Sequence, residues 1–433
     1  MKKLSLAAGG IALALATPAF AQEPVPTTDT GDIAWILVSS ALVLMMAMPG
    51  LTLFYGGLVR AKGFLSVLVQ IGAIAAIASL LWIVVGYSIA FGAVTNGWIG
   101  SMGSATMLTG LADVRDGLTL PENVFVLFQM CFALITPALI VGAWVDRARF
   151  GWVVAFCALW GLVVYAPVAH WVWGGGWLAS QFGTLDFAGG IVVHTTAGVS
   201  ALVVAIMMGA RSGFPKTPLL PHSPSLTMGG AALLWVGWFG FNGGSALGAN
   251  ADAASAIINT HAAASAAALV WLLMEKFLVG KPTSVGFATG AIAGLATVTP
   301  AAGFIAPWAA ILFGALGAAV CYGAIQLVKQ RLKIDDSLDV FAVHGVGGML
   351  GSLLLGVFIA SSLGGTGFAD GIGMGDQIVA QAVGILAVAG WSIVATIVLA
   401  KLVAIVWPMR VDEDAERQGL DIASHGERAW DFD

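Results

Sequence analysis

Apolar residues in this chain neither alternate with polar ones nor mark a single face of a helix. They run for about 20 residues at a time, and short connections carrying glycine, proline and charge separate the runs. Eleven such runs are visible: 33–56, 64–92, 122–144, 151–172, 186–209, 227–248, 253–274, 285–300, 304–328, 340–361 and 377–406. About 20 helical residues cover the roughly 30 Å of bilayer hydrocarbon. The missing period-two alternation argues against a membrane β-barrel. The pattern predicts an all-α polytopic membrane protein with eleven transmembrane helices, the last of them long.

The connections set an orientation. Arg60 and Lys62, Arg147 and Arg149, Arg211 and Lys216, Lys276 and Lys281, and Lys329, Arg331 and Lys333 all fall on one side, joined by Arg410, Arg417 and Arg428 of the tail. The other side has only Arg115. The positive-inside rule then places the N-terminus outside and the C-terminus in the cytoplasm. Upstream, Lys2-Lys3, an apolar run from Leu4 to Leu15 and Ala19-Phe20-Ala21 read as a signal peptide over residues 1–21. The expected organisation is therefore residues 1–21 signal peptide, 22–408 eleven-helix domain and 409–433 cytoplasmic tail.

A weak repeat crosses the chain. Phe54-Tyr55-Gly56-Gly57 in the first span has a counterpart in Phe241-Asn242-Gly243-Gly244 of the sixth; Asp186 and His194 of the fifth have one in Asp339 and His344 of the tenth. Spans one to five thus resemble six to ten. Five is odd, so the second copy is inverted, and the long last helix stands outside the repeat. Inverted repeats with a site at their interface are a transporter signature.

Composition agrees. Of 433 residues 59% are hydrophobic and 9% charged, with mean hydropathy +0.94, whereas a soluble domain is about 25% charged. Cys131, Cys157 and Cys321 all lie in spans, too few and too scattered for a disulfide framework or metal cluster.

The candidate chemistry lies in two histidines. His194 and His344 sit inside apolar runs, where an ionisable side chain is costly and marks function by default. Around His194 the positions sharing its helix face are Ala197, Gly198 and Ala201; around His344 they are Gly347, Gly348 and Gly351. Such small faces permit close helix approach. If they meet, the imidazoles stand side by side in a narrow apolar passage, kept neutral by desolvation, each with one donor and one acceptor. The alternative is that each bonds a carbonyl and only fastens helices.

Asp186 stands eight residues before His194, about 12 Å along a helix axis. It reads either as an N-cap or as an acid that stabilises an entering cation. Asp339 reads as a cap. Trp173, ahead of three glycines, and Phe132 and Phe241, toward the outer ends of their spans, supply aromatic faces that attract cations. Ser245, four residues after Phe241, supplies an acceptor oxygen. His261 is taken as structural.

These stretches resemble the Amt/Mep/Rh ammonium transporter family, in its bacterial Amt branch. The resemblance is carried by Asp186-Phe-Ala-Gly-Gly-Ile-Val-Val-His194, Pro49-Gly50-Leu-Thr-Leu-Phe54-Tyr-Gly-Gly-Leu58, Gly237-Trp238-Phe-Gly-Phe241-Asn-Gly-Gly-Ser245, Val298-Thr299-Pro300 and Asp339-Val-Phe-Ala-Val-His344-Gly-Val-Gly-Gly348, and it reaches into the tail at Gly419-Leu-Asp-Ile-Ala-Ser-His425-Gly426. It implies a recruitment site of Trp173, Phe132 and Ser245, a gate of Phe132 and Phe241, and a pore lined by His194, His344 and Thr299. Asp186 becomes the buried acid that, as part of the substrate site, supports recruitment and pore geometry. The resemblance also implies a homotrimer in the bacterial inner membrane, no cofactor, ammonium or ammonia as substrate, and a PII-type signalling protein at the cytoplasmic face.

Three other classes are weighed. Val84-Val85-Gly86-Tyr87-Ser88 is a poor match to a potassium filter. No H-E-x-x-H or Cys/His spacing supports an intramembrane enzyme. An ammonium sensor with little transport would use the same residues. No segment within the 433 residues reads as an appended signalling domain, so transport is the expectation.

Overall fold

The computed structural model describes residues 27–430, apart from positions 104 and 218. The expected signal peptide, 1–21, lies outside them. Among the described residues the only β pairing is two isolated bridges, Val94 with Gly100 and Ala148 with Arg410.

Among the described residues ten helices are long and apolar enough to cross a membrane: α1 Thr30–Leu58, α2 Ala61–Phe91, α3 Glu122–Ala143, α4 Phe150–Phe182, α5 Gly190–Met208, α7 Ala251–Leu278, α8 Ser284–Ala301, α9 Pro307–Arg331, α10 Phe341–Phe358 and α11 Met374–Ala404. Between α5 and α7 runs α6, Pro224–Gly244, whose 21 residues also suffice to span. Its six glycines and three tryptophans or prolines dilute its hydropathy without shortening it. With α6 the number reaches the expected eleven. Helices α3, α5 and α8 are the most enclosed, while α2, α7, α9 and α11 keep most of their surface outward.

Several spans are not regular α-helix throughout. In α1 a π-helical stretch, Met46–Leu51, contains Pro49, which has no N–H to give the ladder. Helices α5 and α10 each open with a π-helical turn, Gly190–Thr195 and Phe341–Gly345. Such turns concentrate at functional sites, and these two carry His194 and His344.

The tail is docked. Two short helices, α12 Glu413–Gln418 and α13 Leu420–His425, lie against the start of α2. The Asp421 carboxylate accepts from the Leu65 and Ser66 backbone N–H groups at 3.1 and 2.8 Å, and Arg410 pairs with Glu416 at 2.7 Å. The same face buries part of the basic set noted in the sequence. Arg211 binds Asp335 through two side-chain N–H groups, both at 2.9 Å. Arg147, fully buried, sits 3.7 Å from Asp335, and Arg60 is 3.1 Å from Asp146. Burial alone would push the Asp335 carboxyl up, but the two guanidinium groups hold it below its ordinary value.

Candidate functional site

Helices α5 and α10 cross at glycine. An added Cβ at Gly198 would run into the backbone of Gly345, and one at Gly348 would come within 2.8 Å of the His194 Cβ. Of the small faces expected from sequence, Gly198 and Gly348 lie at this crossing, whereas Gly347 and Gly351 pack against α8 at Thr297. Across the crossing, the Nδ1 atoms of His194 and His344 lie 3.2 Å apart, with ring centroids at 5.2 Å. Among the described residues neither imidazole bonds a carbonyl. The His194 Nε2 is buried without a partner.

The two rings line a narrow cavity of about 10 Å³ whose other walls include Phe54, Leu234, Trp238, Phe241 and Ile292. On the side away from the tail, Phe132 and Phe241 stack with centroids 4.3 Å apart at 36°. Beyond them opens a vestibule that takes in Phe132, Trp173 and Ser245. Trp173 stands edge-on to Phe132 at 5.8 Å. Ser245 donates its hydroxyl proton to the Phe241 carbonyl at 2.8 Å, which leaves its lone pairs free. On the tail side, His344 is shared with a second vestibule lined in part by Tyr55, Ser337, Lys329 and Asp339.

Asp186 takes the first of its two readings, and two other sequence expectations need correcting. Asp186 is a cap in full: its Oδ1 accepts from Gly189 and Gly190 at 2.8 and 2.7 Å, and its Oδ2 from Ile191 and Val192 at 2.8 and 2.9 Å. The carboxylate is turned into the backbone that carries His194. It touches the vestibule's wall only through its own carbonyl, which accepts the Trp173 indole N–H at 2.7 Å.

Asp339 is not the matching cap on α10. That role belongs to Asp336, whose Oδ2 accepts from Phe341 N–H at 2.8 Å. Asp339 instead sits at a left-handed φ of 63° and pairs with Lys329 at 2.8 Å. Asp336 lies eight residues before His344, the same interval that separates Asp186 from His194. The fixed interval was the signal that could have found it.

Thr299 does not line the chamber. It lies behind Trp238, accepting the indole N–H at 2.9 Å and donating to the Leu295 carbonyl at 2.7 Å. Trp238 itself stacks on His194 at 5.5 Å and 27°. Gln129, three residues before Phe132 on α3, also lines the outer-end vestibule. His261 packs on Trp235 and Phe239, away from the chamber.

Two vestibules and a narrow apolar cavity, within eleven helices long enough to span, belong to a multi-pass membrane protein. The chain belongs to the Ammonium Transporter Family, whose pattern matches residues 34–430. It is 44% identical to an ammonium transporter of Aquifex aeolicus, covering 95% of this chain and 96% of that protein. It is 42% identical to the ammonium transporter Amt1 of Archaeoglobus fulgidus, over 92% and 99%. Among solved structures it resembles Saccharomyces cerevisiae Mep2, with a TM-score of 0.80 and 36% identity over 89% of this chain and 91% of that one. It also resembles a sensor Amt protein, with a TM-score of 0.85 and 29% identity over 91% and 98%. The family is one of transporters and not of enzymes.

Proposed function

We propose that this ammonium transporter recruits ammonium in the vestibule of Trp173, Phe132 and Ser245, strips one proton near the Phe132–Phe241 stack, and passes ammonia along His194 and His344 into the cytoplasm. The observation that carries the reading is the narrow apolar cavity holding two imidazoles in mutual contact.

Magnitudes favour deprotonation. An intact cation moved into an apolar medium loses tens of kcal/mol of hydration. An amine of pKa near 9–10 loses its proton at pH 7 for about 3–4 kcal/mol. Neutral ammonia then needs only alternate donors and acceptors. Neutral imidazoles bonded Nδ1 to Nδ1 supply them: the ring that donates keeps a lone pair on Nε2, and the ring that accepts keeps an N–H there. Potassium, similar in size, has no proton to give up.

Within this reading Asp186 acts at one remove, fixing the turn of His194 and the tilt of Trp173. The N-terminus lies outside and the tail inside the bacterial inner membrane, as the basic connections favour. The functional unit is a homotrimer, with a PII-type signalling protein at the cytoplasmic face.

The test is current across proteoliposomes after an ammonium jump, beside a potassium jump. An ammonium-only current supports the reading with charge moving; a lumenal pH shift without current supports ammonia crossing alone. Silence in both, from folded protein, favours a sensor, a reading kept in view by the likeness to the sensor Amt structure.

A further inference from the structure

The vestibule beside the Phe132–Phe241 pair is lined by nine residues, of which only Gln129 and Ser245 carry a side-chain oxygen. Gln129 is 7% exposed, and its Oε1 is buried without accepting a hydrogen bond. An unpaired buried carbonyl oxygen is costly, and a turn of the carboxamide that brings it to an N–H donor in the vestibule relieves that cost. The side chain shares a helix face with Phe125 and Phe132, four residues before it and three after. Trp173 does not compete for this acceptor, because its indole N–H is already given to the Asp186 carbonyl.

We propose that Gln129 is a binding residue of this vestibule: its Oε1 accepts an N–H from the recruited cation and sets the preference for ammonium over methylated amines. This rests on the recruitment reading above. Ammonium carries four N–H groups around its nitrogen, and methylammonium carries three. Two neutral acceptors, Gln129 and Ser245, with aromatic faces filling the remaining directions, suit the ion with more donors. A carboxamide also holds a cation less firmly than a carboxylate, so the ion can leave toward the chamber.

The experiment is uptake of ammonium and of methylammonium against concentration in proteoliposomes holding the full chain, for Gln129→Met, Gln129→Glu and Trp173→Ala. Methionine matches glutamine in length and removes the acceptor. It should raise the ammonium KM about tenfold, the effect of losing one charge-assisted hydrogen bond. The change should fall on KM rather than on the maximal rate. The methylammonium KM should rise less, so that the preference narrows. Glutamate keeps an acceptor and adds charge, and should lower KM for both ions at neutral pH. An unchanged KM in both Gln129 variants, with a raised KM in Trp173→Ala, overturns the role of Gln129 and leaves the recruitment reading standing. An unchanged KM in all three overturns the recruitment reading itself. A fall in maximal rate at constant KM marks Gln129 as structural and also overturns the proposal.

Discussion

His194 and His344 touch through their Nδ1 atoms at 3.2 Å, although 150 residues separate them in the chain. One must donate and the other accept, so the pair works as a unit with two unlike outward ends. Replacing both with alanine should abolish ammonium-selective conduction. Replacing them with acidic residues should admit potassium. Ammonium and potassium currents in proteoliposomes check this, and unchanged selectivity would sink the account.

Asp186 accepts four backbone N–H groups at the entry to α5. Alanine there strands all four donors in a buried site. The expected destabilisation is about 3–5 kcal/mol, with uptake lost. Asparagine keeps one oxygen and should fall between alanine and the parent. Melting in detergent ranks the three, and equal midpoints would contradict the capping role.

Asp336 is fully buried, and burial pushes its carboxyl up to about 6, with Asp339 adding to the rise. Since the unfolded chain titrates nearer 4, the native state binds the extra proton between these values. Stability should therefore rise as pH falls through 6 toward 4, and the gain should be gone again above 6. Asp336→Asn should flatten this slope. A slope unchanged in the variant assigns it to other groups.

Gly198 and Gly348 measure how closely α5 and α10 must cross. A Cβ at Gly198 meets the backbone of Gly345, which has no flexible end to yield, so Gly198→Ala should cost about 1–3 kcal/mol and splay the imidazoles. Gly348→Ala meets the Gly190 carbonyl as well as the His194 Cβ, so it should lower uptake and cost stability on a similar scale. Melting and uptake measured together separate the two effects.

The histidines were legible because ionisable groups inside apolar runs stand out, and the small residues around them foretold the crossing. Asp336 was hidden by Asp339, which lies nearer His344. Only the left-handed turn at Asp339 lets the chain reverse so that Asp336 reaches the Phe341 N–H. Thr299 was misplaced because it starts a 3₁₀ turn before Pro300, where regular helical facing no longer holds. Gln129 lay in plain view, but periodicity cannot say that a carbonyl oxygen will be left unpaired.

The docking of the tail has a consequence for anyone who shortens it. The Asp421 carboxylate serves Leu65 and Ser66, donors at the head of α2 for which that helix has no partner of its own. A chain cut near residue 409 is therefore also a lesion in a spanning helix some 350 positions upstream. Lost uptake after truncation would report frayed architecture as readily as a severed signal. Asp421→Asn, which keeps an oxygen for the donors, distinguishes the two.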